Sequence, residues 1–283
     1  QIDIGPTEAR LTARGDRLSL LAPLSVPLVD GRITLQNLQL EGLSGKGEMA
    51  WQAAAQIDGL SLSLLSHKLG WPVISGELNG RIPGLSYRNK VMTLDGELAV
   101  EALGGEVSIR GLTLTDPMGS VPVLEAEADI RRLDLEALTK AFSFGRITGL
   151  LDGEIRKLQL VGWQPSRFAA RFYSSPGEGP RRRISQRAVD NLTELGNGFS
   201  AGLSTTFLRF FEDFAYDQIL LVVSLQGQTA ELDGLAHQGG GYYLVRGAGL
   251  PRIDVVGRNR QVAWRDLIGR LKSIRFEGVQ VRR

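Results

Sequence analysis

A nine-residue pattern occurs twice in this sequence, at residues 74–82 and 147–155. In both copies every second residue is apolar or glycine, and the residues between them are mostly polar. Side chains that alternate with period two point to opposite faces of a β-strand. Each copy is therefore predicted to form a strand with one apolar face and one solvated face.

The repeat extends beyond this strand at a constant numbering offset of 73, which pairs Ile57 with Ile130 and Leu85 with Leu158 without a gap. Each copy is predicted to contain a short strand, a short helix and then the glycine-rich strand. Units that leave an apolar face open usually stack so that neighbours continue one surface. The expected fold class is therefore mainly β with a few helices near the C-terminal end, in an elongated, twisted and curled antiparallel sheet that forms a hydrophobic groove.

The composition changes near residue 174. Residues 174–180 are rich in Pro, Gly and Ser, which interrupt helices and strands, and three consecutive arginines follow. This change predicts three parts. Residues 1–173 form a repeat-built β-groove segment, whose two copies lie at about 55–87 and 128–160. A loop follows at 174–183, and a C-terminal α+β capping segment at 184–283 continues the sheet.

Shorter patterns predict local structure. Asp30-Gly31 between alternating residues predicts a hairpin, and the change of apolar parity between Leu35 and Leu38 predicts a bulge. Helical spacing occurs in three C-terminal segments, which are residues 184–195, the aromatic segment 203–214, and 264–271. Ser185 is the predicted N-cap of the first segment.

The composition excludes several classes of protein. The chain has no cysteine, which rules out disulfide scaffolds, thiolate metal sites and cysteine nucleophiles. No segment approaches about 18 uninterrupted apolar residues, so none is predicted to span a bilayer, and any targeting segment is expected upstream of these residues. The formal charge is −3 over residues 1–170 and +5 over residues 171–283, which permits contact with anionic lipid or nucleic acid.

Few residues are candidates for catalysis. The two histidines, His67 and His237, show no metal-ligand spacing and are expected on the surface and in a loop. Gly239-Gly240-Gly241 is interpreted as a tight turn before a strand, because no lysine and no helix follow as in a phosphate-binding loop. The sequence therefore predicts a protein that is not an enzyme and that holds no cofactor or metal.

The basic run Arg181, Arg182 and Arg183 has two open interpretations. It lacks the interleaved aromatic residues of a single-strand nucleic-acid site, so no nucleic acid is expected as a partner. A solvated loop and a contact with lipid headgroups both remain.

The one-sided sheet also requires an explanation. Its apolar face must be covered, yet each copy of the repeat offers only one short helix. The sheet either curls until that face is inside or leaves the face available to an apolar ligand such as an acyl chain.

Two parts of the sequence resemble a known family. The Gly-x-Leu-x-Gly strands at 76–80 and 149–153 occur together with a C-terminal block at about 184–272 that includes Ile184–Leu192, Gly240–Gly247 and Gly257–Trp264. Together they resemble the C-terminal region of the YdbH group of AsmA-like proteins, relatives of TamB. The C-terminal block is the more distinctive part, and over residues 1–170 the resemblance rests on the style of the repeat.

The resemblance implies a large periplasmic protein of a diderm bacterium, held by an inner-membrane anchor outside these residues. Its groove would carry phospholipid between the inner and outer membranes, and a small outer-membrane lipoprotein would add a strand to its open edge. The arginine run is a candidate headgroup contact. The expected groove-lining residues are Ile74, Leu78, Ile82, Leu94, Leu98, Ile147, Leu151 and Ile155. The alternative is a non-transporting envelope scaffold or interaction protein with a closed, packed sheet.

Overall fold

The protein is mainly β, as the sequence pattern predicts. The computed structural model describes residues 7–44, 48–68, 76–177, 179–195, 211–237 and 240–276. Strands account for 61% and helices for 12%, and the strands pair in one large antiparallel sheet. The chain forms two compact units, which are Gln1–Asp129 with Arg156–Pro165 (unit 1), and Ile130–Ile155 with Ser166–Arg283 (unit 2).

Long antiparallel strands make up unit 1. Its elements, the last of which continues into unit 2, are β1 (Leu11–Arg14), β2 (Arg17–Leu20), β3 (Leu24–Leu28), β4 (Gly31–Glu41), β5 (Ala50–Ser61), α1 (Leu62–Lys68), β6 (Glu77–Arg88), β7 (Val91–Asp95), β8 (Glu97–Ala102), β9 (Gly105–Thr115) and β10 (Val123–Asp134). The strands follow one another across the sheet, since β4 pairs with β5, β5 with β6, β6 with both β7 and β8, and these two with β9.

Unit 2 mixes strands with the longer helices. Its elements are α2 (Leu135–Ala141), β11 (Ile147–Thr148), β12 (Leu150–Val161, whose end belongs to unit 1), β13 (Gln164–Ser174), β14 (Arg183–Ser185), α3 (Gln186–Leu195), β15 (Asp213–Gln226), β16 (Thr229–Asp233), β17 (Leu235–Ala236), β18 (Tyr242–Gly247), β19 (Val255–Gly257), β20 (Gln261–Ala263) and α4 (Trp264–Phe276). The long strand β15 pairs with β13, β14, β16 and β18 along its length.

The sequence repeat is present in the backbone. Strand β10 has the bounds of β5 shifted by the repeat offset, and the same shift relates α2 to α1 and β12 to β6. The shift also relates two pairs of hydrogen bonds. Leu62 N donates to Gly76 O at 3.0 Å as Leu135 N does to Gly149 O at 3.1 Å. Gly59 N donates to the side chain of Asn79, and Arg132 N to that of Asp152, both at 2.7 Å.

Several local predictions are confirmed. Strands β3 and β4 form a hairpin, although its turn is at Val29-Asp30 and Gly31 is already paired with Leu28. The predicted bulge lies in β4 at Asn37, which has a φ of 54°. In α3 the Ser185 hydroxyl accepts a bond from Ala188 N at 3.3 Å, as an N-cap does.

Two helix predictions are wrong in part. Ile184 lies in strand β14 and Phe214 in strand β15, where the two residues pair across the ladder. Both side chains are buried, at 1% and 2% exposure, because this pairing places them in the core of unit 2. The rest of the predicted aromatic helix, up to residue 210, lies outside the described residues. The two units divide within β10 and β12, whereas the sequence pattern placed its boundary at 174–183.

Candidate functional site

The apolar side chains of unit 1 form continuous rows across one side of its sheet. Residues directly opposite each other in neighbouring strands point to the same face. One row is Leu18, Leu40, Trp51, Tyr87, Met92 and Leu114. A second is Val26, Ile33, Ile57, Gly80, Val100 and Val107. A shorter row between them is Leu24, Leu35, Ala55 and Ile82. These rows and the apolar residues beside them on the same side of the strands are called the apolar face below.

The opposite face of the same strands is polar. The row that alternates with the Trp51 row contains only hydroxyl and amide side chains, Ser19, Gln39, Gln52, Ser86, Thr93 and Thr113. Gln52 donates to Gln39 across the strands at 3.1 Å, which agrees with this register. These hydroxyl and amide side chains can form hydrogen bonds with water, which the side chains of the apolar face cannot do.

Bulges keep the apolar residues on one side. In β4 the bulge at Asn37 lies between Leu35 and Leu40, and in β5 a register shift at Gly59 lies between Ile57 and Leu60. An extra residue at a bulge reverses the alternation that follows it. The changes of parity in the sequence are therefore compensated by the backbone, and the apolar face is continuous.

The described residues cover the apolar face only in part. Most of its side chains are half-buried, including Trp51, Tyr87, Leu98 and Val107. The described apolar side chains of unit 1 that are buried have exposures of 3% to 9%; they are Val29, Ala50, Ala55, Ile57, Leu60, Leu94 and Ala126. The fully buried large side chains of the described residues all lie in unit 2, and they are Tyr242, Ile184, Leu225, Val245 and Val255.

In unit 2 the apolar side chains of the sheet are fully buried at several positions. Phe168 pairs with Leu225, and Leu225 with Ala230, and the last two are both 0% exposed. Trp264, at the start of α4, packs edge-on against Phe168 with ring centroids 5.6 Å apart. Unit 2 thus has a closed hydrophobic core, whereas the described part of unit 1 has an accessible apolar surface.

The predicted lining residues divide between these two environments. Leu78, Ile82, Leu94 and Leu98 all lie on the apolar face of unit 1, where three are half-buried and Leu94 is buried. In unit 2, Ile147 and Leu151 are buried at 4% and 7% exposure, and Ile155 is half-buried. Ile74 lies outside the described residues.

The aromatic part of the apolar face was missed by the sequence pattern. The rings of Trp51 and Tyr87 stack at 6.0 Å with an interplanar angle of 16°. Neither residue belongs to the nine-residue pattern at 74–82, and their contact arises because β5 and β6 pair. The signal available in the sequence was the alternation of Trp51 and Ala53 about Gln52, and of Ala55 and Ile57 about Gln56.

Two of the three predicted headgroup arginines have partners within the chain. Arg183 forms an ion pair with Asp213, which also pairs with Arg146 at 2.5 Å. The hydrogen bond from Arg183 holds the pKa of Asp213 below its usual value. Arg182 donates to the carbonyl oxygens of Asp217 at 2.5 Å and Ser175 at 2.7 Å. Arg181 is exposed.

The two histidines and Asp134 show no catalytic arrangement among the described residues. Asp134 caps α2 by accepting from Glu136 N at 2.7 Å, and His67 is exposed on α1. The His237 ring packs against Tyr243 with centroids 4.6 Å apart. Among the described side chains no group of three or more His, Asp and Glu is placed to hold a metal ion.

Comparisons with known proteins add no relative. No protein-family model matches the chain, and no curated protein or solved structure matches it. Within the ranges that the structure describes, no helix has both the length and the apolar character needed to cross a membrane.

Proposed function

We propose that the apolar face of unit 1 binds the acyl chains of phospholipid, in a segment that shields lipid during transfer between membranes. The observation that carries this proposal is the set of apolar rows whose side chains are mostly half-buried, because the described residues cover them only in part. Soluble proteins usually bury such a surface or use it for binding. The polar rows on the opposite face would remain in water.

The dimensions of the apolar face suit an acyl chain. The row through Trp51 crosses six paired strands. At about 4.8 Å between strands it is roughly 24 Å long. One acyl chain occupies about half of the roughly 30 Å hydrocarbon core of a bilayer, so it fits within one row. Each methylene moved from water onto the face would contribute up to about 0.8 kcal/mol.

The setting of this function comes from the family resemblance. A phospholipid carrier of the YdbH type would work in the periplasm, with an inner-membrane anchor and an outer-membrane lipoprotein as partners. In this proposal unit 1 holds lipid, and unit 2, whose core is closed, does not. The chain itself carries out no chemical reaction.

The second candidate function is an envelope scaffold. The packed core of unit 2, with Leu225 and Ala230 at 0% exposure, favours it for that unit. A scaffold would require the apolar face of unit 1 to take up no lipid, so the same experiment separates the two functions.

Two neighbouring residues of β8 provide a matched test of the lipid surface. Leu98 pairs with Ile109 on the apolar face, whereas Ala99 pairs with Ser108 on the polar face. Leu98→Asp places a charge among the acyl chains, so we expect this variant to lower the uptake of a fluorescent phospholipid analogue by about tenfold. We expect Ala99→Asp to change the uptake by less than about twofold. Both are preferable to a change at Leu151, which is buried at 7% exposure and would damage the core.

Native mass spectrometry of the gently purified chain gives the direct measurement. Co-purifying phospholipid that is lost from Leu98→Asp but kept by Ala99→Asp supports the lipid surface. Equal uptake by both variants, each with a far-UV circular dichroism spectrum like that of the parent, means that this face does not bind lipid. A parent chain that takes up no phospholipid leaves the scaffold as the better explanation.

A further inference from the structure

Exposed apolar side chains are concentrated at one end of the strands of unit 1. Met118 is 93% exposed and Trp163 is 59% exposed, which is unusual for such large side chains. All members of this set lie in connections between strands or directly beside them. We call them the apolar rim, and they are Leu43, Met49, Met118, Val121, Val161 and Trp163.

The strand register places these connections at the same end of the sheet. Glu41 pairs with Ala50 on either side of the connection that contains Leu43 and Met49. Trp51, the next residue of β5, pairs with Tyr87 near the end of β6. Val91, which starts β7 after the turn, pairs with Thr115 at the end of β9.

Backbone hydrogen bonds join the later connections. Asp116 N donates to Lys90 O at 2.7 Å, and Gly162 N donates to Pro122 O at 2.9 Å. The loop at 116–122 therefore joins the β6–β7 turn to the β12–β13 turn, and Val121 lies next to Gly162, the residue before Trp163.

The repeat shows that the apolar character of this rim is not required by the fold. The repeat offset relates Gly162 and Trp163 to Asn89 and Lys90, and each pair forms a two-residue turn with positive φ angles. The same turn therefore forms with polar residues. In the second copy it presents a tryptophan to solvent instead.

We propose that the apolar rim docks onto the surface of a phospholipid bilayer. Its side chains protrude from separate turns, so they can enter the headgroup region one by one, where tryptophan in particular is favoured. Among the described residues this end carries basic and acidic side chains in equal number. The basic ones are Arg14, Arg17, Arg88 and Lys90, and the acidic ones are Asp16, Glu41, Glu48 and Asp116. Zwitterionic lipid therefore suffices, and an excess of anionic lipid is not needed.

The rim adjoins the lipid surface proposed above, and the inference rests on that proposed function. The row through Trp51 and Tyr87 is the row of the apolar face nearest to these connections. An acyl chain that leaves the bilayer at the rim would meet this row first. Docking at the rim therefore provides a route by which lipid enters or leaves unit 1.

Flotation with phosphatidylcholine vesicles tests the docking. We expect the full chain to float with the vesicles, and Met118→Ser with Trp163→Ser to lower the partition coefficient at least about tenfold, because two apolar side chains are lost from the contact. The matched control is Leu21→Ser, since Leu21 is 65% exposed but lies between β2 and β3, outside the rim. Lys90→Ser is the second control, at the equivalent turn.

Quenching by brominated phosphatidylcholine locates the contact. Because Trp51 lies on the proposed lipid surface, the measurement is made in a Trp51→Phe background. There Trp163→Phe keeps an apolar side chain at the rim, so it is expected to float like its background while it loses most of the quenching of tryptophan emission. Flotation and quenching that are unchanged in the rim variants overturn the inference, as does a parent chain that binds a protein partner but no vesicle.

The two proposals fail in different ways. A chain that takes up phospholipid analogue but does not float overturns the docking alone. A chain that floats through Trp163 but takes up no analogue overturns the proposed function and supports the docking.

Discussion

Gly149→Ala is expected to lower the free energy of unfolding of unit 2 by about 3–5 kcal/mol, whereas Gly76→Ala costs unit 1 only about 1–2 kcal/mol. The two glycines occupy equivalent positions of the repeat and have φ angles of +126° and +125°. Residues with a Cβ rarely adopt this conformation, so both substitutions carry the same backbone strain. The difference between them comes from their surroundings.

Crowding distinguishes the two positions. A Cβ on Gly149 would lie 2.5 Å from the hydroxyl oxygen of Tyr216, whereas the nearest atom to a Cβ on Gly76 is a methyl group of Leu62 at 3.7 Å. The Tyr216 hydroxyl is held in place because it donates to Thr148 O at 2.7 Å and the residue is buried at 3% exposure. It therefore has little room to move away.

A double-mutant cycle tests this cause. Tyr216→Phe alone loses one hydrogen bond, at a cost of about 1 kcal/mol. It also removes the atom that a Cβ on Gly149 would meet. The loss in free energy of unfolding of the double variant should therefore be smaller, by about 2 kcal/mol, than the sum of the losses of the two single variants. Urea unfolding followed by circular dichroism measures the four proteins. Additive losses would mean that backbone strain, and not contact with Tyr216, determines the cost at Gly149.

Much of the secondary structure follows from the sequence. Alternating apolar residues identified the strands, and the repeat offset holds for strand bounds, helix bounds and hydrogen bonds alike. The bulge at Asn37 was visible because the apolar parity changes between Leu35 and Leu38. These features depend on local patterns, which a single sequence contains.

The features that local sequence patterns do not show are contacts between distant residues. Phe214 has helical spacing with the aromatic residues before it, but pairing with Ile184 places it in a strand. The stack of Trp51 on Tyr87 depends on the register between β5 and β6, which local alternation does not specify. Arg183 was a candidate headgroup contact, and its partner Asp213 is 30 residues away in the sequence.

The repeat itself conceals a difference in burial. Leu78 and Leu151 occupy equivalent positions, yet Leu78 is half-buried on the sheet of unit 1 and Leu151 is 7% exposed in unit 2. The residues are identical, so their own chemistry does not separate them. What differs is whether other elements cover the face, and this property depends on the whole unit. The proposal that lipid binds to unit 1 and not to unit 2 therefore required the structure.

Alkaline pH is expected to destabilise unit 2 through two buried tyrosines. Burial raises the pKa of Tyr216 to about 12. Burial, together with the nearby carboxylate of Asp233, raises the pKa of Tyr242 to about 12. An unfolded tyrosine titrates near pH 10, so between about pH 10 and 12 the folded state holds more protons than the unfolded state. Stability is therefore constant below this range and falls as the pH rises through it.

The expected loss is on the order of 3 kcal/mol for both tyrosines together, which allows for solvent screening of the hydroxyls. Urea unfolding at intervals between pH 9 and about pH 12 measures it. Tyr242→Phe removes one titrating group, along with a hydrogen bond to Asn259 O at 3.2 Å, and should reduce the loss above pH 10 by about half. Tyr216→Phe should do the same, and the double variant should show little dependence on pH in this range. If the free energy of unfolding of the double variant falls with pH as steeply as that of the parent, groups other than these two tyrosines cause the alkaline loss.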